Sequence, residues 1–254
     1  MSACALLGST GSTGLLILDI LLARPDTQVQ TLVRSPAKLK SQLSDGIPHN
    51  LTIYEGTPSD IELLARCLKG TRALFITLGP VGNPPGCSLM QDMAKDLVAA
   101  MRSLQETSPD AKLPHVVMLS AAPLNEQLSR GMPRPVRSVL FRALHWHYTD
   151  LKIAEEILRR ESDWISCTFV KPGGLVHDEP KGHILTMDQE QPFLSYADLA
   201  AGMVEVSEGD GGYWDQKDVS VISKSPARFG WENVLILLKG FITYWLPWSY
   251  QYLF

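Results

Sequence analysis

Three glycines, Gly8, Gly11 and Gly14, constrain this chain more than any other feature. A short apolar run, Cys4 to Leu7, precedes them, and an apolar stretch of helical character, Leu15 to Leu22, follows at once. The order reads as strand, tight turn and helix N-terminus. Gly8 can leave the strand with positive φ. Gly11 lets the backbone come close to a pyrophosphate, and Gly14 lets the helix pack tightly on a sheet. First-turn N–H groups and the helix dipole favour an anion there. Ser9, Thr10, Ser12 and Thr13 add hydroxyls able to bond phosphate oxygens.

Helix one ends near Ala23-Arg24-Pro25, and Gln28 to Val33 reads as the second strand. The next residue decides the cofactor. An NAD site usually places Asp or Glu about 20 residues past the loop, where it accepts from the ribose 2′-OH. Here Arg34 stands instead, followed by Ser35 and Lys38. A cation cannot accept that hydroxyl, but it pairs with a 2′-phosphate, Arg bidentately. The pattern therefore predicts NADP(H) over NAD(H).

Leu51 to Tyr54 reads as strand three, and a helix follows to about Lys69 with Gly70 at its C-cap. Ala73 to Leu78 is an apolar fourth strand ending at Gly79, on the ligand side of an open α/β sheet. Ser88 to Glu106 is an amphipathic helix with Met90, Met93 and Met101 on its core side. Strand five is His115 to Leu119, ending in Ser120. A helix, with a break, runs from about Val136 to Arg160, and strand six, Trp164 to Val170, leads into Lys171-Pro-Gly-Gly174. This alternation predicts an α/β fold, a Rossmann-type doubly wound parallel sheet. Residues 1–254 read as one domain: a dinucleotide-binding core over 1–174, then a small C-terminal substrate lobe and helices over 175–254. In that lobe Ser195 is a helix N-cap with Asp198 three residues on, and Asp218 to Ile222 is a strand.

Composition narrows the partners. The net charge is −4 and no basic block interleaves with aromatics, which argues against nucleic acid. The four cysteines have no C-x-x-C spacing, and no His/Cys/carboxylate pattern suggests a metal. The N-terminus lacks a basic n-region, so the expected location is cytoplasmic. The aromatic stretch from Trp231 to Phe254 is broken by Lys239, Gly240 and Pro247 and is too short to span a bilayer. It suits a packed helix, a pocket wall or a contact surface. The expected assembly is a monomer or homodimer.

Three residues stand where redox chemistry would need them. Ser120 ends strand five and can hold a substrate oxygen. Tyr148 and Lys152 form Y-x-x-x-K, and residues four apart on a helix share a face. A Tyr hydroxyl can pass a proton to a carbonyl oxygen as hydride arrives, and an adjacent ammonium lowers its pKa. The neighbours His145 and His147 suit structural roles better. His177, Asp178 and Glu179 either face substrate or form a solvated turn.

The GSTGSTG loop, L-V-R-S-P-A-K, the strand-five serine, K-I-A-E-E-I-L and F-V-K-P-G-G-L together resemble the atypical short-chain dehydrogenase/reductases, of the NmrA-like and flavin or biliverdin reductase-like groups. The resemblance covers about residues 1–206. Within that class, the tail from Gly240 to Trp248 is similar to that of fungal averufin oxidase A-like oxidoreductases of aromatic polyketide pathways. The resemblance implies NADP(H) and an anthraquinone- or xanthone-like substrate in fungal secondary metabolism. It places Gly8, Gly11 and Gly14 at the pyrophosphate and Arg34 at the 2′-phosphate. Gly79 falls near the adenine ribose, Lys152 at the nicotinamide ribose, and Pro172 and Gly173 at the carboxamide; Lys38 and Leu78 are further cofactor-binding candidates. Where the family often carries Asp after strand three, this chain has Glu55-Gly56, so that adenine contact is not carried over. The alternatives are an isomerase, epimerase or cyclase on the same fold, and an NmrA-like NADP-sensing regulator.

Overall fold

The computed structural model describes residues 2–43, 46–209 and 212–254, with the side chain of residue 232 left aside. The first half is a regular alternation: β1 (Ser2–Leu7), α1 (Ser12–Leu22), β2 (Thr27–Val33), α2 (Pro36–Gln42), β3 (Leu51–Glu55), α3 (Ile61–Leu68), β4 (Ala73–Ile76), α4 (Leu89–Thr107) and β5 (His115–Leu119). Then come α5 (Arg134–Ala143), α6 (His145–Arg160), β6 (Cys167–Val170), β7 (Gly174–Val176), β8 (His183–Thr186), β9 (Phe193–Ser195), α7 (Tyr196–Glu208), β10 (Asp218–Ser223), α8 (Trp231–Trp245) and α9 (Tyr250–Leu253). The helix expected with a break is two helices, divided at Leu144.

Eight strands form one sheet in the order β3-β2-β1-β4-β5-β6-β10-β8. Seven pairings fall within it, and all are parallel except that of β8 with β10. β1 lies at the centre, and Cys4 to Leu7 are at most 1% exposed. Its side chains alternate. Ala5 and Leu7 join a core under α3, α4 and α6, whereas Cys4 and Leu6 join a core under α1 and α7. A strand covered on both faces needs the unbroken apolar run seen here. Met90, Met93 and Met101 are buried in the first of these cores.

Segment 175–254 builds onto the same body as the core: α7 packs on α1, and β10 continues the main sheet beside β6, with Asp218 opposite Phe169 and Val219 opposite Val170. The Asp198 carboxylate ties this region together. It accepts from Ser195 Oγ at 2.9 Å, from Ser223 Oγ at 3.1 Å and from the Lys181 N–H at 3.0 Å. Ser195 also caps α7 as expected, accepting from the Asp198 N–H at 3.0 Å. Beside the main sheet, β7 and β9 pair as a small ribbon, and α8 packs on α5.

Candidate nucleotide and substrate site

The β1–α1 turn is built for close approach. Gly8 has φ +97°, and a Cβ there would lie 2.8 Å from the Thr77 carbonyl carbon. A Cβ on Gly14 would lie 2.1 Å from Gly8 O, so the helix sits directly on the turn. The Gly11 N–H donates to Gly8 O at 3.0 Å and closes the loop. Gly11 and Ser12 face solvent. A Cβ on Gly11 would meet nothing nearer than 3.4 Å, and one on Gly79 nothing within 4 Å. The cradle is therefore tight underneath and open above, which fits a pyrophosphate laid across a helix N-terminus.

The four hydroxyls of this loop are not equivalent. Ser9 is 0% exposed, and its Oγ bonds Thr31 Oγ1 at 2.8 Å, tying the loop to β2. Its hydroxyl, expected on phosphate, is thus turned inward and leaves only the backbone to that role. Thr13 is also buried. Thr10 and Ser12 retain access from solvent. At the end of β2, Arg34 and Lys38 are exposed, and among the described residues neither is in an ion pair. Ser35 caps α2 by accepting from the Lys38 N–H at 3.3 Å. Leu78 packs against the core, and β4 stops at Ile76, two residues earlier than expected.

At the other end of the sheet edge lies a buried polar cluster. The Ser120 hydroxyl donates to Glu155 Oε1. Lys171, 1% exposed, donates from Nζ to Glu155 Oε2 at 2.7 Å and stands 3.4 Å from Asp218 Oδ2. Arg159 pairs with Asp218, and Asn125 Nδ2 donates to the same carboxylate at 2.6 Å. Two carboxylates face two cations, so burial leaves no net charge uncompensated. Glu155, Lys171, Asp218, Arg159 and Asn125 line a cavity of about 440 Å³ with Lys152 and Met187. Glu155 and Lys171 had no assigned chemistry in the sequence. The signal was a lone lysine directly after the apolar run Cys167 to Val170.

Tyr148 and Lys152 have different surroundings. Lys152 is exposed on the cavity wall. Tyr148 is 7% exposed and packs in the core, with its ring edge-on to Phe141 at 5.5 Å between centroids. Burial raises its phenol well above the ordinary value, and the nearby Glu190 carboxylate raises it further. The direction is opposite to the lowering expected from Lys152. Glu190 itself is raised by burial. Its Oε2 is enclosed without a partner beside Gly173, where a Cβ would lie 2.7 Å from it and 2.1 Å from Gln191 O. Gly173 is thus required by the close passage of residues 190–191. Pro172 O accepts from the Ala122 N–H at 2.9 Å.

Burial lowers the pKa of the His147 imidazole, and the residue's backbone N–H donates to Asn83 Oδ1 at 3.1 Å. Asp178 lies in a turn that binds the Arg228 N–H at 2.9 Å and Lys181 Nζ at 3.0 Å, which holds its carboxyl at about 2. Among the described residues no group of His, Cys, Asp or Glu is arranged to hold a metal.

A parallel sheet with a glycine cradle at its first βα turn, and with further open positions along the same edge, defines a Rossmann-type dinucleotide-binding protein. Residues 8–209 match the NAD(P)H-binding family, and the chain belongs to it. It is 40% identical over 259 residues to Oxidoreductase stcQ of Emericella nidulans, an alignment spanning 100% of this chain and 94% of the relative. It is 38% identical over 254 residues to Oxidoreductase aflX of Aspergillus parasiticus, across 99% and 95% of the two chains. A short-chain dehydrogenase/reductase from Veillonella parvula, solved in complex with NADP, superposes with a TM-score of 0.69 at 16% identity, covering 88% of this chain and 95% of that one. At that identity the likeness concerns the fold. Among the described residues no helix is long and apolar enough to cross a membrane.

Proposed function

We propose that the protein is an NADPH-dependent oxidoreductase that reduces a carbonyl of an aromatic, polyketide-derived substrate of anthraquinone or xanthone type in fungal secondary metabolism. The observation that carries this reading is the open Gly8–Gly14 cradle combined with exposed, unpaired Arg34 at the end of β2. Thr10, Ser12 and the backbone of 9–14 would hold the pyrophosphate, and Arg34 with Lys38 the 2′-phosphate. The open space at Gly79 would admit the adenine ribose, and Lys152, on the cavity wall, would hold the nicotinamide ribose. Names of fungal relatives as oxidoreductases support the reaction class.

When bound, the cofactor supplies a hydride. The protein's own part is to place the carbonyl and provide a proton. Tyr148 stays a phenol near neutral pH, the form that would give a proton to the carbonyl oxygen, although burial makes it a weaker acid than a free tyrosine. Ser120 commits its proton to Glu155 and presents lone pairs, which suits a substrate hydroxyl next to the reacting carbonyl. Lys171 fixes Glu155, and with it Ser120.

The test is a titration of NADPH against NADH with the wild type and with Arg34→Asp, followed by turnover on hydroxyanthraquinones. No preference for NADPH, or a preference unchanged in Arg34→Asp, overturns the cofactor reading. One observation favours a second reading, a cofactor-sensing regulator: Ser120 and Tyr148 are both engaged inside the protein. Tight binding to a protein partner that depends on NADP redox state, without turnover, would select it.

A further inference from the structure

Helix α8 carries an apolar stripe that none of the described residues covers. Trp231, Leu235, Leu238, Ile242 and Trp245 follow one another at helical spacing along α8, and they are 75%, 56%, 57%, 37% and 63% exposed. Trp248, just beyond, is 66% exposed. Thus three of the chain's 6 tryptophans project from its last turns. Burying such side chains is favourable, so a continuous exposed stripe is costly unless something covers it.

The charge around the stripe indicates what covers it. The opposite side of α8 packs on α5, closely enough that a Cβ on Gly240 would lie 2.1 Å from Ala143 O. Residues 127–149, which contain α5, carry Arg130, Arg134, Arg137 and Arg142 and no Asp or Glu. Residues 231–254 carry Lys239 and one acidic residue, Glu232 at the start of α8. Among the described residues none of these five cations is in an ion pair, although the chain as a whole is −4. Arg130, Arg134 and Arg142 are exposed. The tail is anchored: Tyr250 donates from its hydroxyl to Val81 O at 2.8 Å, and the Phe254 ring occupies the space a Cβ on Gly82 would need.

We propose that α5 and α8 form a docking face for an anionic phospholipid surface, with the α8 stripe inserted among the acyl chains and the α5 arginines against the headgroups. Tryptophan favours the membrane–water boundary because its ring is apolar and its N–H polar. A helix lying in that plane is expected to combine an apolar stripe with flanking cations. A second copy of this chain fits less well, since a two-fold interface over this face would bring the same unpaired arginines toward one another. The inference is independent of the proposed substrate.

The experiment is co-sedimentation of the full chain with phosphatidylcholine–phosphatidylserine vesicles and with pure phosphatidylcholine vesicles, read alongside tryptophan emission and analytical ultracentrifugation. The expected result is sedimentation with the anionic vesicles, a blue shift, and release by salt. Each arginine reversed should weaken binding at least about fivefold. Arg134→Glu with Arg142→Glu, and separately Trp231→Ala with Trp245→Ala, should abolish sedimentation while NADPH binding persists as the sign of an intact fold. Wild type remaining in the supernatant with both vesicles overturns the proposal. So does unchanged binding of the tryptophan variant, or a dimer that Leu238→Asp dissociates with no vesicle binding.

Discussion

Lys171 Nζ donates to Glu155 Oε2 at 2.7 Å, and the two side chains are 1% and 9% exposed. Lys171 ends β6 and Glu155 lies on α6, so the pair joins the sheet edge to its covering helix. Removing Glu155 leaves buried Lys171 with only Asp218 at 3.4 Å, a carboxylate already shared with Arg159, and breaking a buried pair costs about 3–5 kcal/mol. Glu155→Gln should therefore lower unfolding stability by that amount in urea titration. Glu155→Leu with Lys171→Met should recover part of it, because Asp218 keeps Arg159 and Asn125.

Asp150 supplies the cap that α4 does not make for itself. Its carboxylate is 0% exposed and accepts from the Met90 N–H at 2.9 Å and the Gln91 N–H at 3.0 Å. Ser88, at the helix start, contributes no side-chain cap. A carboxylate on first-turn N–H groups also meets the positive end of the helix dipole. Asp150→Ala should cost about 2 kcal/mol, with Asp150→Asn between it and wild type, by thermal or urea unfolding.

Gly14 and Gly79 separate folding from nucleotide binding. Gly14→Ala puts a Cβ on Gly8 O and should cost about 3 kcal/mol while abolishing nucleotide binding. Gly79→Ala meets no protein atom within 4 Å, so its melting temperature should match wild type. A loss of NADPH affinity in that variant would then report the nucleotide itself.

Arg34→Asp should weaken NADPH binding about 10–100-fold, the worth of a charge-assisted bond to phosphate, and leave NADH binding no weaker. Isothermal titration with both nucleotides measures it.

Glu190 sets a pH dependence of known sign. Its folded pKa is raised by burial, so the folded state holds the proton more tightly than the unfolded state. Stability is then highest below the unfolded value of about 4.5 and falls as pH rises through the folded value. Glu190→Gln removes this loss. Its melting temperature should equal wild type near about pH 4 and exceed it increasingly toward neutrality. No pH-dependent gap between the two proteins would rule out the buried carboxylate.

Tyr148 and Lys152 show how far a spacing rule reaches. Four residues apart put both on neighbouring positions of α6, but the rule says nothing of what packs there. Phe141, from the preceding helix, covers the tyrosine, and Lys152 is left on the cavity wall. Ser120 was recognisable as the residue at the end of β5. Its partner Glu155 was not, because that contact joins two elements through a fold, not a pattern.

The sequence by itself determined the β1-turn-α1 cradle, the cationic end of β2 and the parallel alternation through β6. All of these rest on contacts between near neighbours: glycine φ, apolar periodicity, caps. Only the tertiary structure decided that β10 and β8 extend the main sheet under α7, that Ser9 turns to Thr31, and that Glu155, Lys171 and Asp218 share one buried cluster. Each of those outcomes depends on which distant surfaces exclude water together, and no local pattern carries that information.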